Sequence, residues 1–141
     1  MPVSEADSIQ PEPEVPGQGL AVMAEVLYLV NLLLLPGLAF IALVAVYVRY
    51  IGQAPPLGVC HLRQTLSASL WAGALLLAAN VIILLLGGYR SPHTWMVVII
   101  YFTTCHATLV LLGVMGLAKA MAGQVFRYPL VGRPVKHGSA G

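Results

Sequence analysis

The stretch "LLLLPGLAF", residues 32–40, interrupts the first apolar run of the chain near its centre, and its reading decides how that run meets a membrane. A proline inside a helix removes one backbone hydrogen bond and clashes with the preceding turn, so Pro36 followed by Gly37 predicts a sharp break. Two geometries can follow: one kinked helix over residues 26–48, or two half-helices folded back as a re-entrant hairpin. At about 1.5 Å per residue, halves of roughly ten residues cannot cross a hydrocarbon core about 30 Å thick. The length argument therefore predicts a single span kinked at Pro36.

Two further runs, residues 66–86 and 95–118, are equally apolar, and the whole chain is 59% hydrophobic and 9% charged over 141 residues. A soluble domain of that size has no interior large enough to hide such a surface. The runs are continuous rather than alternating, which excludes a transmembrane barrel. The expected fold class is all-α, an integral membrane three-helix bundle. Its domain organisation is an acidic, Pro-rich and disordered tail over residues 1–19, a membrane domain over 20–130, and a flexible tail over 131–141. The first tail has no basic region ahead of an apolar one, so it does not read as a cleavable signal peptide.

Charge is distributed unevenly. All five acids, Glu5, Asp7, Glu12, Glu14 and Glu25, precede the first run as bounded here, and no Asp or Glu follows Glu25. With three spans, Arg49 and Arg63 share a side with Lys119, Arg127, Arg133 and Lys136, and only Arg90 lies opposite. The positive-inside rule then predicts a multi-pass protein of a bacterial inner membrane with its N-terminus periplasmic and its C-terminus cytoplasmic.

Spacing predicts which helix faces meet. Ser69, Gly73 and Asn80 fall on one stripe of the second span, and Thr103, His106, Gly113 and Gly116 on one stripe of the third, the small or polar composition of close helix contact. Ser69 and Gly73 are expected to pack against Gly113 and Gly116. Asn31, Asn80, Thr103 and His106 come out at neighbouring depths. Unpaired polar groups in hydrocarbon are costly, so these four are expected to form an intramembrane hydrogen-bonded cluster. His106 is either a neutral residue fixing register or a proton carrier, ligand or substrate contact.

The segments "CHLRQTL" (60–66) and "LAKAMAGQVFRYPLVGRP" (117–134) resemble the motifs of a large bacterial family of small uncharacterised membrane proteins. That family is grouped with the twenty-kilodalton Tic component of chloroplast import. The resemblance covers residues 25–133. His61, Arg63 and Gln64 match its first motif, and Lys119, Ala120, Gly123, Arg127, Tyr128, Pro129 and Leu130 its second. Thr65 stands where the family usually has alanine, and the plastid protein usually has four spans. Both motifs are expected on the cytoplasmic face, with Gly123 ending the third helix through a positive-φ cap. Arg63 and Arg127 are placed to reach lipid phosphates or helix ends.

No metal site is expected. Cys60-His61 and Cys105-His106 lie about 15–20 Å apart in depth at 1.5 Å per residue, whereas zinc ligands converge within about 2.3 Å of one ion. For the same reason of depth the two cysteines are not expected to pair. A bis-histidine haem would need a second copy or subunit to supply a partner for His106. Phosphate-loop, nucleophile-elbow and zincin motifs are missing, and carboxylate acid–base chemistry is excluded from the membrane domain because no acid follows Glu25. The chain therefore reads as a non-enzyme without cofactors. Its expected partners are the lipid bilayer and other membrane subunits or itself, with no basic face for nucleic acid. Its expected role is that of an accessory, assembly or interaction subunit. The alternatives are an oligomeric conduit or translocation component, and a haem- or redox-associated protein using His106.

Overall fold

The computed structural model describes residues 13–132, and all regular structure within them is helical. Among the described residues there are four helices: α1 Gln18–Leu33, α2 Leu38–Tyr50, α3 Pro56–Leu85 and α4 His93–Met121. Of these, α3 and α4, with 30 and 29 residues, are long and apolar enough to cross a membrane, whereas α1 and α2 are not.

The break at Pro36 is a reversal, not a kink. Ala24, Leu43 and Leu62 form one buried cluster, joined by Leu20, Leu27, Val46 and Tyr47. In a single kinked helix Ala24 and Leu43 would sit about 28 Å apart at 1.5 Å per residue. Their contact requires α1 and α2 to run antiparallel. The turn is built from Gly37, whose φ of 89° suits only a residue without a Cβ, and from Asn31, whose Oδ1 accepts from the Gly37 N–H at 3.0 Å. The N–H groups of Leu34 and Leu35 both bond the Val30 carbonyl at 3.0 and 2.9 Å, which closes α1. The prediction of one kinked span over residues 26–48 is therefore corrected. Its length argument assumes that each arm has to cross a membrane, which a hairpin does not require.

The first arm is also longer than the apolar run that announces it. Gln18 donates through Nε2 to the Met121 carbonyl at 2.6 Å, and a Cβ on Gly17 would lie 3.0 Å from the Gly58 nitrogen. The start of α1 thus docks on the end of α4 and the start of α3. Within the stretch read as a disordered tail, Val15 lies against Gly123 and Gly17 and Gln18 are docked on the bundle, while residues 1–12 lie outside the described residues. The start of α1 and the end of α4 also sit at one end of the bundle, whereas three spans would place them at opposite ends. Arg49, Arg63, Lys119 and Arg127 share that end, here called the basic end; Arg133 and Lys136 lie outside the described residues.

Helix α1 wedges between α3 and α4. Gly113 seats Tyr28 and Leu29 of α1, since a Cβ at that position would fall only 2.7 Å from Tyr28 Cε1, and Gly116 seats the Glu25 carboxylate. The small stripe of α4 is a contact surface, but its partner is α1 and not the Ser69–Gly73 face of α3. A Cβ on Gly73 would meet nothing within 4 Å.

Midway along α4, Tyr101–His106 is π-helical. Thr103 donates to the Ile99 carbonyl at 2.7 Å, Thr104 to that of Ile100, and Thr108 to that of Thr104 at 2.6 Å. These hydroxyls serve carbonyls one turn back across the widened segment, a pattern that bends and loosens helices. Beyond it, α4 ends as expected at Gly123, with φ 65° and the Gln124 N–H returning to the Lys119 carbonyl at 2.8 Å.

Candidate functional site

The polar centre of the molecule lies near the basic end, where α1, α3 and the segment after α4 meet. Glu25 and His61 are both 0% exposed and Tyr128 is 1% exposed. His61 Nδ1 lies 2.6 Å from Glu25 Oε1, and its Nε2 lies 2.9 Å from the Gln124 carbonyl. Tyr128 donates its hydroxyl to Glu25 Oε2. Tyr28, stacked edge-on against Tyr128 at 5.6 Å, donates to the Leu109 carbonyl at 3.0 Å.

Proton positions follow from the partners. A carbonyl can only accept, so His61 Nε2 carries a hydrogen. Tyr128 supplies the hydrogen to Oε2. One proton then occupies the contact between Nδ1 and Oε1, giving either an imidazolium–carboxylate pair or a neutral imidazole with a carboxylic acid. Both forms have zero net charge, which is what burial in a low-dielectric interior requires. Burial first, and then the charge of Glu25, push the Tyr128 phenol well above its ordinary range, so it remains a donor.

The local structure that builds this centre is economical in residues. Gly116 leaves the space that the carboxylate fills: a Cβ there would fall 2.5 Å from Glu25 Oε2. Thr65 donates to the His61 carbonyl at 2.8 Å, securing the turn that aims the imidazole. Ser67 donates to the Val131 carbonyl at 2.8 Å, so the segment from Gln124 to Val131 is pinned to α3 at both ends. The reactive atoms of the centre are covered by the described residues, with Glu25 and His61 inaccessible at the surface. As built, it is a latch that holds α1, α3 and the segment following α4 together.

The motif residues divide accordingly. His61, Gln64 and Tyr128 are buried at the centre, whereas Arg63, Lys119, Arg127 and Pro129 are exposed, Lys119 donating to Gln124 Oε1 at 2.9 Å. Glu25 is the member that sequence reasoning misses. Reading the sequence alone places it among the acids that precede the first apolar run, and the exclusion of carboxylate chemistry on the ground that no acid follows Glu25 overlooks Glu25 itself, which is buried in the bundle. The signal is present: Glu25 is the one charge inside the α1 sequence, three residues before Tyr28, and a buried carboxylate demands a partner.

The four residues expected to cluster do not hydrogen-bond one another. Asn31 serves the hairpin turn, and Asn80 donates to the Leu76 carbonyl and accepts from Tyr89 at 2.5 Å. Thr103 bonds its own helix, and the His106 ring packs on Phe102 at 5.1 Å. Asn31 and His106 nevertheless line one cavity, together with Ser69 and Gly73. The Ser69 hydroxyl is buried without a hydrogen-bond partner among the described residues. Cys60 and Cys105 are both free thiols, and no group of three or more His, Cys, Asp or Glu among the described residues is placed to hold a metal ion. No family model, curated protein or solved structure matches the chain, so what the site can do follows from its own geometry.

Proposed function

We propose that this chain is an integral protein of a bacterial inner membrane that does no chemistry of its own and serves as an accessory or assembly subunit, docking another membrane protein through the outer parts of α3 and α4. The observation that carries the reading is the contrast between a sealed polar centre and an uncovered outer half. Beyond the hairpin tip only two of the described helices remain, and Leu77, Leu85 and Trp95 are 67%, 81% and 72% exposed. Exposed side chains of this kind suit lipid or a neighbouring helix, not water. Asn80 lies along the same half and the threonines of the π-helical segment at its inner margin, level with the hairpin tip, and a partner helix would shield their hydroxyl and amide groups from hydrocarbon.

The basic end is assigned to the cytoplasm by the positive-inside rule. Both described ends of the chain then lie on the cytoplasmic side, and the hairpin is re-entrant from it.

Cross-linking from single cysteines at Leu77, Leu85 and Ile99 in native membranes, followed by native mass measurement of the solubilised protein, tests the reading. A heteromeric adduct is expected. A homo-oligomer would favour the conduit reading instead, and a monomer that cross-links only to lipid would overturn both.

A further inference from the structure

A cavity of about 430 Å3 lies where the hairpin tip meets the middle of α3 and the π-helical segment of α4. That volume falls within the range of about 300–1,000 Å3 typical of small-molecule sites. Its wall is mainly apolar, but besides the buried Ser69 hydroxyl three side chains on it have unused donors. The Asn31 carbonyl oxygen is taken by the Gly37 N–H, which leaves its amide NH2; the Tyr101 hydroxyl and the His106 imidazole make no hydrogen bond among the described residues. Tyr101, Phe102 and His106 form a cluster of rings, with Tyr101 and Phe102 edge-on at 5.4 Å and His106 packed on Phe102 at 5.1 Å. Opposite them is Gly73, which leaves open space above the α3 backbone.

Donors without acceptors in hydrocarbon are costly, and only a molecule bearing acceptors relieves all three. A charged acceptor would itself carry a large desolvation cost at this depth. A flexible acyl chain supplies no acceptor there, because its ester oxygens stay near the headgroups. A flat apolar ring with neutral carbonyl oxygens supplies both the acceptors and a face to lie on the aromatic cluster. We infer that the cavity between the hairpin tip, α3 and the π-helical segment is a binding site for a lipid-soluble quinone or a closely similar ring dione, held by Asn31, Tyr101 and His106. This goes beyond the subunit reading and rests only on its membrane placement. Binding alone is inferred, with no electron transfer.

The test uses the full chain in mild detergent, a photoreactive azidoquinone as probe and decylubiquinone as competitor. A photoreactive fatty acid serves as the acyl-chain control. Quinone label is expected within residues 69–76 or 101–106 and should be displaced by decylubiquinone. Gly73→Leu fills the cavity from a position where a Cβ meets no other atom, and should abolish that labelling while the variant elutes as the wild type does. His106→Leu should weaken competition by about tenfold, the loss of one hydrogen bond in a dry site, whereas His106→Gln, which keeps a donor, should retain most of it. Labelling that decylubiquinone does not displace would overturn the inference. Equal labelling by the fatty-acid probe, or label spread along the exposed faces of α3 and α4 and indifferent to Gly73→Leu, would do the same and identify the cavity as a groove for lipid tails.

Discussion

The two halves of this molecule meet the same problem, a helix surface that water cannot cover, and solve it in opposite ways. At the basic end α1, α3, α4 and the segment after it close around Glu25, His61 and Tyr128, and titratable groups are buried because each of these three side chains has a polar partner. At the far end α3 and α4 stand as a pair, and polar atoms are handled within each helix: Thr103 bonds Ile99, and Asn80 bonds Leu76. The hairpin makes the difference. It carries the carboxylate into the bundle and stops at Pro36–Gly37, and no other described element replaces it beyond that depth. Burial of a titratable pair therefore depends on how many elements reach a given level, not on how apolar each one is.

The largest effect that could break this contrast is loss of the carboxylate. Glu25→Ala would strand His61 and Tyr128 in a sealed interior, and removing one partner of a buried pair costs about 3–5 kcal/mol. Chemical denaturation in detergent should show it, and a loss below about 1 kcal/mol, the scale of an exposed pair, would mean that the centre is hydrated. Next comes a paired comparison of two glycines. Gly116→Ala places a methyl group against the Glu25 carboxylate and should cost about 1–3 kcal/mol, the usual penalty of overpacking. Gly73→Ala meets open space and should be neutral or stabilising by up to about 1 kcal/mol through helix propensity. Equal penalties at the two glycines in thermal melts would erase the distinction between a filled and an open half. A smaller loss, about 0.5–1.5 kcal/mol by the same denaturation, is expected for Tyr128→Phe, which keeps the ring against Tyr28 and Phe126 but removes the hydrogen bond to Glu25. Asn80→Ala should cost less still, because its bonds run to its own helix and to the nearby Tyr89 and hold no second element in place.

How far these features are legible in the sequence depends on whether a residue's signal is local. Pro36–Gly37 announces a break, and Gly123 announces a cap, because both act on their own backbone. Gly113 and Gly116 announce close contact but not with whom, since a stripe of small residues says only that something approaches. The approaching element is α1, hidden because its first eight residues lie ahead of the apolar run as bounded at residue 26. Glu25 is lost with them: a carboxylate at the margin of an apolar run looks like the end of that run unless its partners are known, and His61 and Tyr128 are 36 and 103 residues away. The motif resemblance singles out His61 and Tyr128 without saying that they converge. The π-helical segment leaves no readable mark, because the threonines that accommodate it are also ordinary residues of an α-helix.

The direction of the chain at Pro36 underlies all of these readings, and a distance between the two arms of the hairpin tests it most directly. Spin labels at Gly19 and Tyr50, in a background where Cys60 and Cys105 are replaced by serine, report the separation of the two arm ends by pulsed electron resonance. Packed antiparallel helices have axes about 8–10 Å apart, so the labels should lie roughly 10–20 Å from each other. A distance of about 45 Å, the length of one helix over the same residues at 1.5 Å each, would restore the single kinked span and remove Glu25 from the side of His61.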